Sequence, residues 1–172
     1  PTEEELIRFA IEHYLAEIRA AVGKNLDKIL AYPKNKTELQ ALLRSLPPEA
    51  VPIIADLLRE ETDFLCRRIL IYGLADIGTD EAARVLREYF LEHVEDPSYG
   101  SEMRHLIRAL GRCRADYAFE TLKDFLNEQD NRSIRELRPH YVEAMSKHRL
   151  GYQAVPIFVD LVKNDSSDPV RN

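Results

Sequence analysis

A pattern of about 35 residues repeats along this chain, and it restricts the possible folds more than any other feature of the sequence. The pattern is clearest in 69–90, where an apolar helical face runs to Gly78 and a second begins after Thr79-Asp80. Glycine favours the left-handed conformation that ends many helices, and Thr or Asp favours the N-cap of the next helix. The stretch therefore predicts two helices joined by a short turn.

Further copies of this helix pair appear at shifts of 32 and 36 residues. Leu42 aligns with Leu74 after the first shift, and Leu74 aligns with Leu110 after the second. The first and last copies share the sequence Ala-Val-Pro-Ile, at 50–53 and at 154–157. A helix pair repeated at this period predicts an all-α solenoid, in which each pair packs on its neighbours.

The segments 74–82 and 109–111, together with the two Ala-Val-Pro-Ile segments, resemble HEAT repeats of the short type called PBS-lyase HEAT-like. The resemblance covers Thr37 to about Val162. It implies a right-handed α-solenoid with first helices on the convex surface and second helices on the concave one. Such repeats serve many unrelated roles, so the resemblance predicts the fold and leaves the function open.

We expect one α-solenoid domain over 1–172, beginning with a capping helical hairpin at 1–33. Thr2 and Glu5 have the spacing of a capping box, and Gly23 and Pro33 are expected to end the two capping helices. Gly73 lies inside a predicted helix, which indicates close helix packing. The expected HEAT-like repeats are 34–63, 64–96, 97–130 and 131–165, and the tail 166–172 resembles the start of a further repeat.

Charged residues are distributed unevenly between the two helices of each pair. The second-helix segments (49–63, 80–96, 116–130, 151–165) sum to −13, and the first-helix segments (34–48, 64–79, 97–115, 131–150) sum to +9. Acidic side chains recur at two repeat positions of the second helices. We call these seven residues the acidic row: Asp56, Glu60, Glu88, Glu92, Asp124, Glu128 and Asp160.

Two interpretations of the acidic row remain open at this point. In the first, its carboxylates pair with first-helix arginines of neighbouring copies, which contributes little per exposed pair. In the second, a groove lined with acidic residues attracts a basic partner. The arginines concerned in the first interpretation are Arg67, Arg68, Arg104, Arg108 and Arg112.

The composition indicates an ordinary globular chain of 172 residues with a formal net charge of −6, which argues against nucleic acid as the partner. There is no apolar run of membrane-spanning length, and the acidic start is unlike a signal peptide, so we expect a cytoplasmic protein without membrane contact. Cys66 and Cys113 are expected to fill the core, and His140 with Glu143 to be a surface pair. We therefore expect no catalytic residue, metal or cofactor.

These observations favour a non-enzymatic scaffold that binds a basic protein or peptide segment on its acidic concave face. An inhibitor or immunity protein for a cationic toxin is a narrower form of this hypothesis. The family resemblance also allows an enzyme, either phycobilin lyase-like or DNA glycosylase-like, although the chain has no Trp and no basic groove for the latter. An uncapped C-terminal helix pair would expose apolar surface and favour a homodimer through that end.

Overall fold

The computed structural model describes residues 1–22 and 26–164, and the side chains of these residues except 22, 26–32 and 164. Ten α-helices pack against one another in this part of the chain, and no strand occurs within it. The all-α fold class is thus confirmed. The predicted tail 166–172 and the predicted helix stop at Gly23 lie outside the described residues.

The contacts divide the chain into an N-terminal unit, Pro1–Ile77, and a C-terminal unit, Gly78–Asn172. Short 3₁₀ turns at Pro48–Ala50, Pro97–Tyr99 and Gly151–Ala154 precede α3, α6 and α10. The N-terminal unit contains α1 (Glu3–Val22), α2 (Leu26–Ser45), α3 (Val51–Glu60) and α4 (Phe64–Ile77). The C-terminal unit contains α5 (Asp80–His93), α6 (Gly100–Arg112), α7 (Asp116–Asn127), α8 (Arg132–Arg135), α9 (Arg138–Lys147) and α10 (Val155–Asn164).

Two predicted helix-boundary signals are confirmed in atomic detail. The Thr2 backbone N–H donates to Glu5 Oε2 at 2.8 Å, and the Glu5 N–H donates to Thr2 Oγ1 at 3.2 Å, which is the reciprocal capping box. After α4, Gly78 has a φ of 72° in the left-handed region, and Thr79 Oγ1 accepts the Ala82 N–H as the N-cap of α5. These bonds fix where α1 and α5 begin.

The prediction that Pro33 ends a helix is wrong, because α2 continues through Pro33 to Ser45. The expected boundary between a cap at 1–33 and a repeat at 34 therefore falls inside one helix. An interior proline costs a helix about 3 kcal/mol, since its ring removes one backbone bond. The helix α2 packs along α1 and also contacts α4, and we attribute the continuity of α2 to this packing, which offsets the local cost.

In the N-terminal unit, α4 packs on both α2 and α3, while α1 covers α2. The close approach of α4 to α2 occurs at Gly73, where an added β-carbon would lie 2.7 Å from Leu43 Cδ1. This contact confirms the packing role expected for Gly73. The fully buried core side chains around it include Ile11, Ile18, Leu39, Leu43, Ile54, Leu70 and Leu74.

In the C-terminal unit, α6 contacts α5, α7 and α9, and α7 contacts α5 and α9. Three aromatic rings pack at the centre of this group, with centroids 4.6 Å apart for Phe90 and Phe125 and 5.7 Å apart for Phe125 and Tyr141. Of the residues that the repeat alignment places together, Leu74 and Leu110 are fully buried, whereas Leu42 is half-buried and its neighbour Leu43 lies in the core instead.

Several polar contacts, each inside one of the two units, join residues 32 to 37 positions apart. In the N-terminal unit, Arg44 Nε lies 3.0 Å from Asp76 Oδ2. In the C-terminal unit, the Asn131 side-chain amide donates to Glu95 Oε1 at 2.9 Å. These separations equal the period found in the sequence, whereas the number of repeats and their solenoid arrangement stay predictions.

Candidate functional site

The acidic row is distributed over both units, so its members are described unit by unit. Two of its residues, Asp56 and Glu60, lie on α3 in the N-terminal unit. The other five belong to the C-terminal unit, on α5, α7 and α10 and at the residue that follows α7. All seven are solvent-exposed except Glu128, which is half-buried.

In the N-terminal unit, Glu60 is engaged by a cation from α1. Arg8 Nη2 lies 2.6 Å from Glu60 Oε2, while Arg8 Nε donates to Glu12 Oε1 at 2.9 Å. Asp56, one turn earlier on α3, makes no hydrogen bond or ion pair with any residue the structure describes. Of these two acidic residues, Asp56 is thus the one whose carboxylate carries no neutralising contact.

In the C-terminal unit, α5 and α7 lie side by side, and an ion pair joins them. Arg87 Nη1 of α5 lies 3.1 Å from Asp124 Oδ2 of α7. The guanidinium of Arg87 also lies over the Phe125 ring, 5.8 Å from its centroid. The cation that pairs with Asp124 therefore lies on α5, the second helix of an expected repeat. The sequence had suggested only arginines on the first helices as partners.

The exposed side of α5 combines acidic and apolar side chains. Glu88 and Glu92 lie one turn apart on this helix and are both exposed. Leu91, which lies between these two residues in the sequence, leaves 46 % of its surface in contact with solvent. Glu92 lies in the last turn of α5, where the helix dipole is unfavourable to a negative charge.

Glu128 has a structural role in the loop that follows α7. Its carboxylate accepts the backbone N–H groups of Asp130 at 2.8 Å and of Asn131 at 3.3 Å. These bonds, with that of Asp130 the strongest, lower the pKa of Glu128. Arg138 Nη2 donates to the Glu128 carbonyl at 3.2 Å, which attaches the same loop to α9.

A residue outside the acidic row, Glu61, makes the equivalent contacts in the N-terminal unit. Its carboxylate is almost fully buried, and Oε1 accepts the N–H groups of Thr62 and Asp63, both at 2.9 Å. Arg19 Nη1 lies 3.3 Å from the other oxygen, Oε2. The repeat alignment paired Glu128 with Glu60, one residue away from this structural equivalent. The helix α3 ends at Glu60, so Glu61 is its C-cap residue. A prediction of this helix end would have identified Glu61 as the residue that binds the following loop.

Of the side chains considered for chemistry, the two cysteines lie in the core as predicted, whereas His140, expected in a surface pair with Glu143, is half-buried. Cys66 and Cys113 are buried, and burial is the main cause that raises the pKa of each thiol, so neither is an activated nucleophile. Glu143 pairs with Lys147, with Oε1 2.5 Å from Nζ. Among the described residues, no group of three or more His, Cys, Asp or Glu is arranged to hold a metal ion.

The members of the acidic row that the C-terminal unit exposes are thus Glu88 and Glu92 on α5, Asp124 on α7 and Asp160 on α10. In comparisons with known proteins, no family model, curated protein or solved structure matches this chain. Within the described ranges 1–22 and 26–164, no helix has both the length and the apolar character needed to cross a membrane.

Proposed function

We propose that this chain is a helical-repeat scaffold that binds a basic protein segment through its exposed second helices. The binding face in the C-terminal unit is formed by Glu88, Leu91 and Glu92 of α5 and by Asp124 of α7. The observation that carries this proposal is the adjacency of α5 and α7, each with an exposed carboxylate at the aligned repeat positions of Glu88 and Asp124. In this proposal the chain has no catalytic step.

The arrangement of charges supports a basic partner over an acidic one. The segments that contain α5 and α7, 80–96 and 116–130, each sum to −4, and this net negative charge includes Arg87, which pairs with Asp124. Carboxylates of neighbouring helices raise the local concentration of a cationic segment and accelerate its association. The exposed Leu91 adds an apolar side chain beside Glu88 and Glu92 on α5.

The HEAT-like resemblance of the sequence supports the same proposal, because stacked helix pairs offer an extended surface for a partner. Polar contacts between residues that lie 32 to 37 positions apart in the sequence are consistent with such stacking. In this proposal, the expected acidic concave face of a right-handed α-solenoid includes the exposed surface of α5 and α7.

The test uses a fluorescein-labelled peptide rich in Lys and Arg, with Leu at helical spacing, and measures its anisotropy with the full chain. We expect the double variant Glu88→Lys/Asp124→Lys to bind this peptide about tenfold more weakly, because each reversed charge repels a cation. Raising the salt concentration should weaken binding to the parent chain strongly and binding to the variant little.

A control variant with the same change in net charge separates the face from the overall charge. Glu136→Lys/Glu143→Lys changes two exposed or half-exposed carboxylates that pair only with Arg132 and Lys147 on their own segments. Equal loss of binding in both double variants would show that the peptide responds to net charge alone, and the proposed face would be wrong. Leu91→Ala should weaken binding by a factor that does not depend on salt, because it removes an apolar contact.

A further inference from the structure

Two arginines on α6 expose positive charge, and the carboxylate whose charge acts on this site is that of Glu143 on α9, which is already paired with Lys147. Arg104 and Arg108 are both exposed and lie four residues apart, so their β-carbons are about 5–6 Å from each other on one helix face. Within the described part of the chain, neither guanidinium makes a hydrogen bond or an ion pair. Like charges at this spacing destabilise a helix by a few tenths of a kcal/mol, so the pair does not serve the stability of α6.

The helix α9 packs against α6 and brings a third nitrogen base to the same surface. His140 on α9 is half-buried, close enough to Arg104 and Arg108 for their charges to act on its imidazole. Two further cations of this unit are paired: Lys147 with Glu143, and Arg149 with Asp116. Arg104 and Arg108, with the imidazole of His140 beside them, therefore form a small cluster whose positive charge comes from the two arginines and is available to an anion.

We propose that this cationic cluster, formed by Arg104, Arg108 and His140, is a docking surface for an acidic segment of a protein partner. Two guanidinium groups one helical turn apart match two carboxylates one turn apart on a partner helix. Each guanidinium can engage a carboxylate with two parallel hydrogen bonds. The surface lies on first helices of the expected repeats and has the opposite charge to the face formed by α5 and α7.

Its size favours an acidic peptide over nucleic acid. Binding a nucleic-acid backbone with useful affinity takes roughly 6–10 phosphate contacts along an extended positive surface. Here the positive surface is interrupted by Glu143, and the cations beyond it, Lys147 and Arg149, are held by carboxylates of this chain. Arg104 and Arg108 span one helical turn, so the charge they offer matches a short acidic stretch.

The pKa of His140 can be used to detect the binding of an acidic segment to this surface. Burial lowers the pKa of His140 first, the charges of Arg104 and Arg108 lower it further, and Glu143 partly opposes them. A carboxylate placed between the two arginines would offset their positive field. Binding of an acidic segment should therefore raise the pKa of His140, and by linkage the segment should bind more tightly as the pH falls.

The experiment measures binding of a fluorescein-labelled Glu-rich peptide to the full chain, and follows the His140 ring by NMR with and without the peptide. We expect Arg104→Ala/Arg108→Ala to bind the peptide about tenfold more weakly, since two exposed charge pairs are lost. In the parent chain the peptide should raise the pKa of His140. A thymidine oligonucleotide of equal charge should bind more weakly than the peptide.

The matched control is Lys123→Ala/Arg132→Ala, which removes two cations that are paired with Glu120 and Glu136 on other segments. This control should retain the affinity of the parent chain. Equal losses in the two double variants, an unchanged pKa of His140, or tighter binding of the oligonucleotide would each overturn the proposal. The inference is independent of the acidic face, because Glu88→Lys/Asp124→Lys should leave binding of the Glu-rich peptide intact.

Discussion

Gly111 of α6 lies so close to Ala144 of α9 that a β-carbon on Gly111 would stand 2.7 Å from the Ala144 carbonyl oxygen. The same β-carbon would lie 2.9 Å from the Ala144 Cα. Both obstacles are rigid parts of α9, so a rotamer change cannot relieve them. The contact between α6 and α9 therefore depends on the absence of a side chain at 111.

We predict that Gly111→Ala lowers the free energy of unfolding by about 1–3 kcal/mol, because α6 and α9 must move apart to accommodate the methyl group. Urea denaturation followed by circular dichroism measures this change. Gly100→Ala is the matched control on the same helix, since an added β-carbon there has no neighbour within 4 Å. That substitution should leave stability unchanged or raise it by up to about 1 kcal/mol. A similar effect of both substitutions would contradict the close-packing explanation.

His148 links the end of α9 to the loop between α6 and α7. Its ring is buried, with Nε2 3.3 Å from the Ala115 carbonyl oxygen, and Nδ1 accepts the Leu150 N–H at 3.1 Å. A ring that accepts at Nδ1 and donates at Nε2 is neutral, and protonation would break the bond from Leu150. Burial is the main cause that lowers the pKa of His148 below its ordinary value of 6.5.

A lowered pKa means that the unfolded chain takes up the proton before the folded chain does. The contribution of His148 to stability is therefore complete above about pH 6.5 and decreases as the pH falls through its folded pKa. We predict that His148→Gln reduces the slope of unfolding free energy between pH 7 and pH 5. Some slope should remain, because burial also lowers the pKa of His140. An unchanged slope in His148→Gln would refute the assignment.

Glu92 is predicted to reduce stability while it contributes to binding. It lies in the last turn of α5 and makes no hydrogen bond or ion pair with the described residues. Glu92→Gln should raise the free energy of unfolding by about 0.3–1 kcal/mol, because it removes a negative charge from the helix C-terminus. The same substitution should weaken binding of the Lys- and Arg-rich peptide.

Glu81, in the first turn of the same helix, is the matched control for that effect. Glu81→Gln removes a carboxylate that the helix dipole stabilises, so it should lower stability by a similar amount. Chemical denaturation of both variants measures whether the free energy of unfolding rises in Glu92→Gln and falls in Glu81→Gln. If both substitutions change the free energy of unfolding in the same direction, the helix dipole does not determine the effect of Glu92.

The positions of most helices and core residues could be predicted from the sequence because they depend on short-range chemistry. Gly78 and Thr79 specify a helix end and a helix start through their own backbone preferences. Leu70 and Leu106 occupy one repeat position, Leu74 and Leu110 occupy another, and all four are fully buried. Repetition strengthened each prediction, since an apolar residue at the same place in several copies is unlike a chance pattern.

Features that depend on contacts between elements were not predicted. The helix α2 passes through Pro33 although the local signal is a stop, because packing on α1 outweighs the lost backbone bond. Asp124 pairs with Arg87, and the choice of partner depends on side-chain positions across α5 and α7 that a repeat alignment does not contain. Glu128 and Glu61 bind the loops that follow α7 and α3 because each is the C-cap residue of its helix. The repeat alignment missed this equivalence because the two helices end one residue apart in the alignment.

The helix α10 presents a line of exposed valines to solvent. Val155, Val159 and Val162 expose 56 %, 47 % and 56 % of their surfaces, at the spacing of one helix face. If two copies associate through this face, Val159→Asp should weaken the dimer about tenfold or more, because it places a charge in an apolar contact. The same substitution should hardly change the stability of the monomer, since Val159 is already largely hydrated.

Sedimentation equilibrium over a range of concentrations measures this association. Leu91→Asp is the matched control, because Leu91 has nearly the same exposure, 46 %, on a different helix. A dimer that dissociates in Val159→Asp and persists in Leu91→Asp would place the interface on α10, with the apolar contact as its driving force. A parent chain that stays monomeric at every concentration would contradict the homodimer, since three exposed valines would then contribute too little area to offset the entropy lost on association.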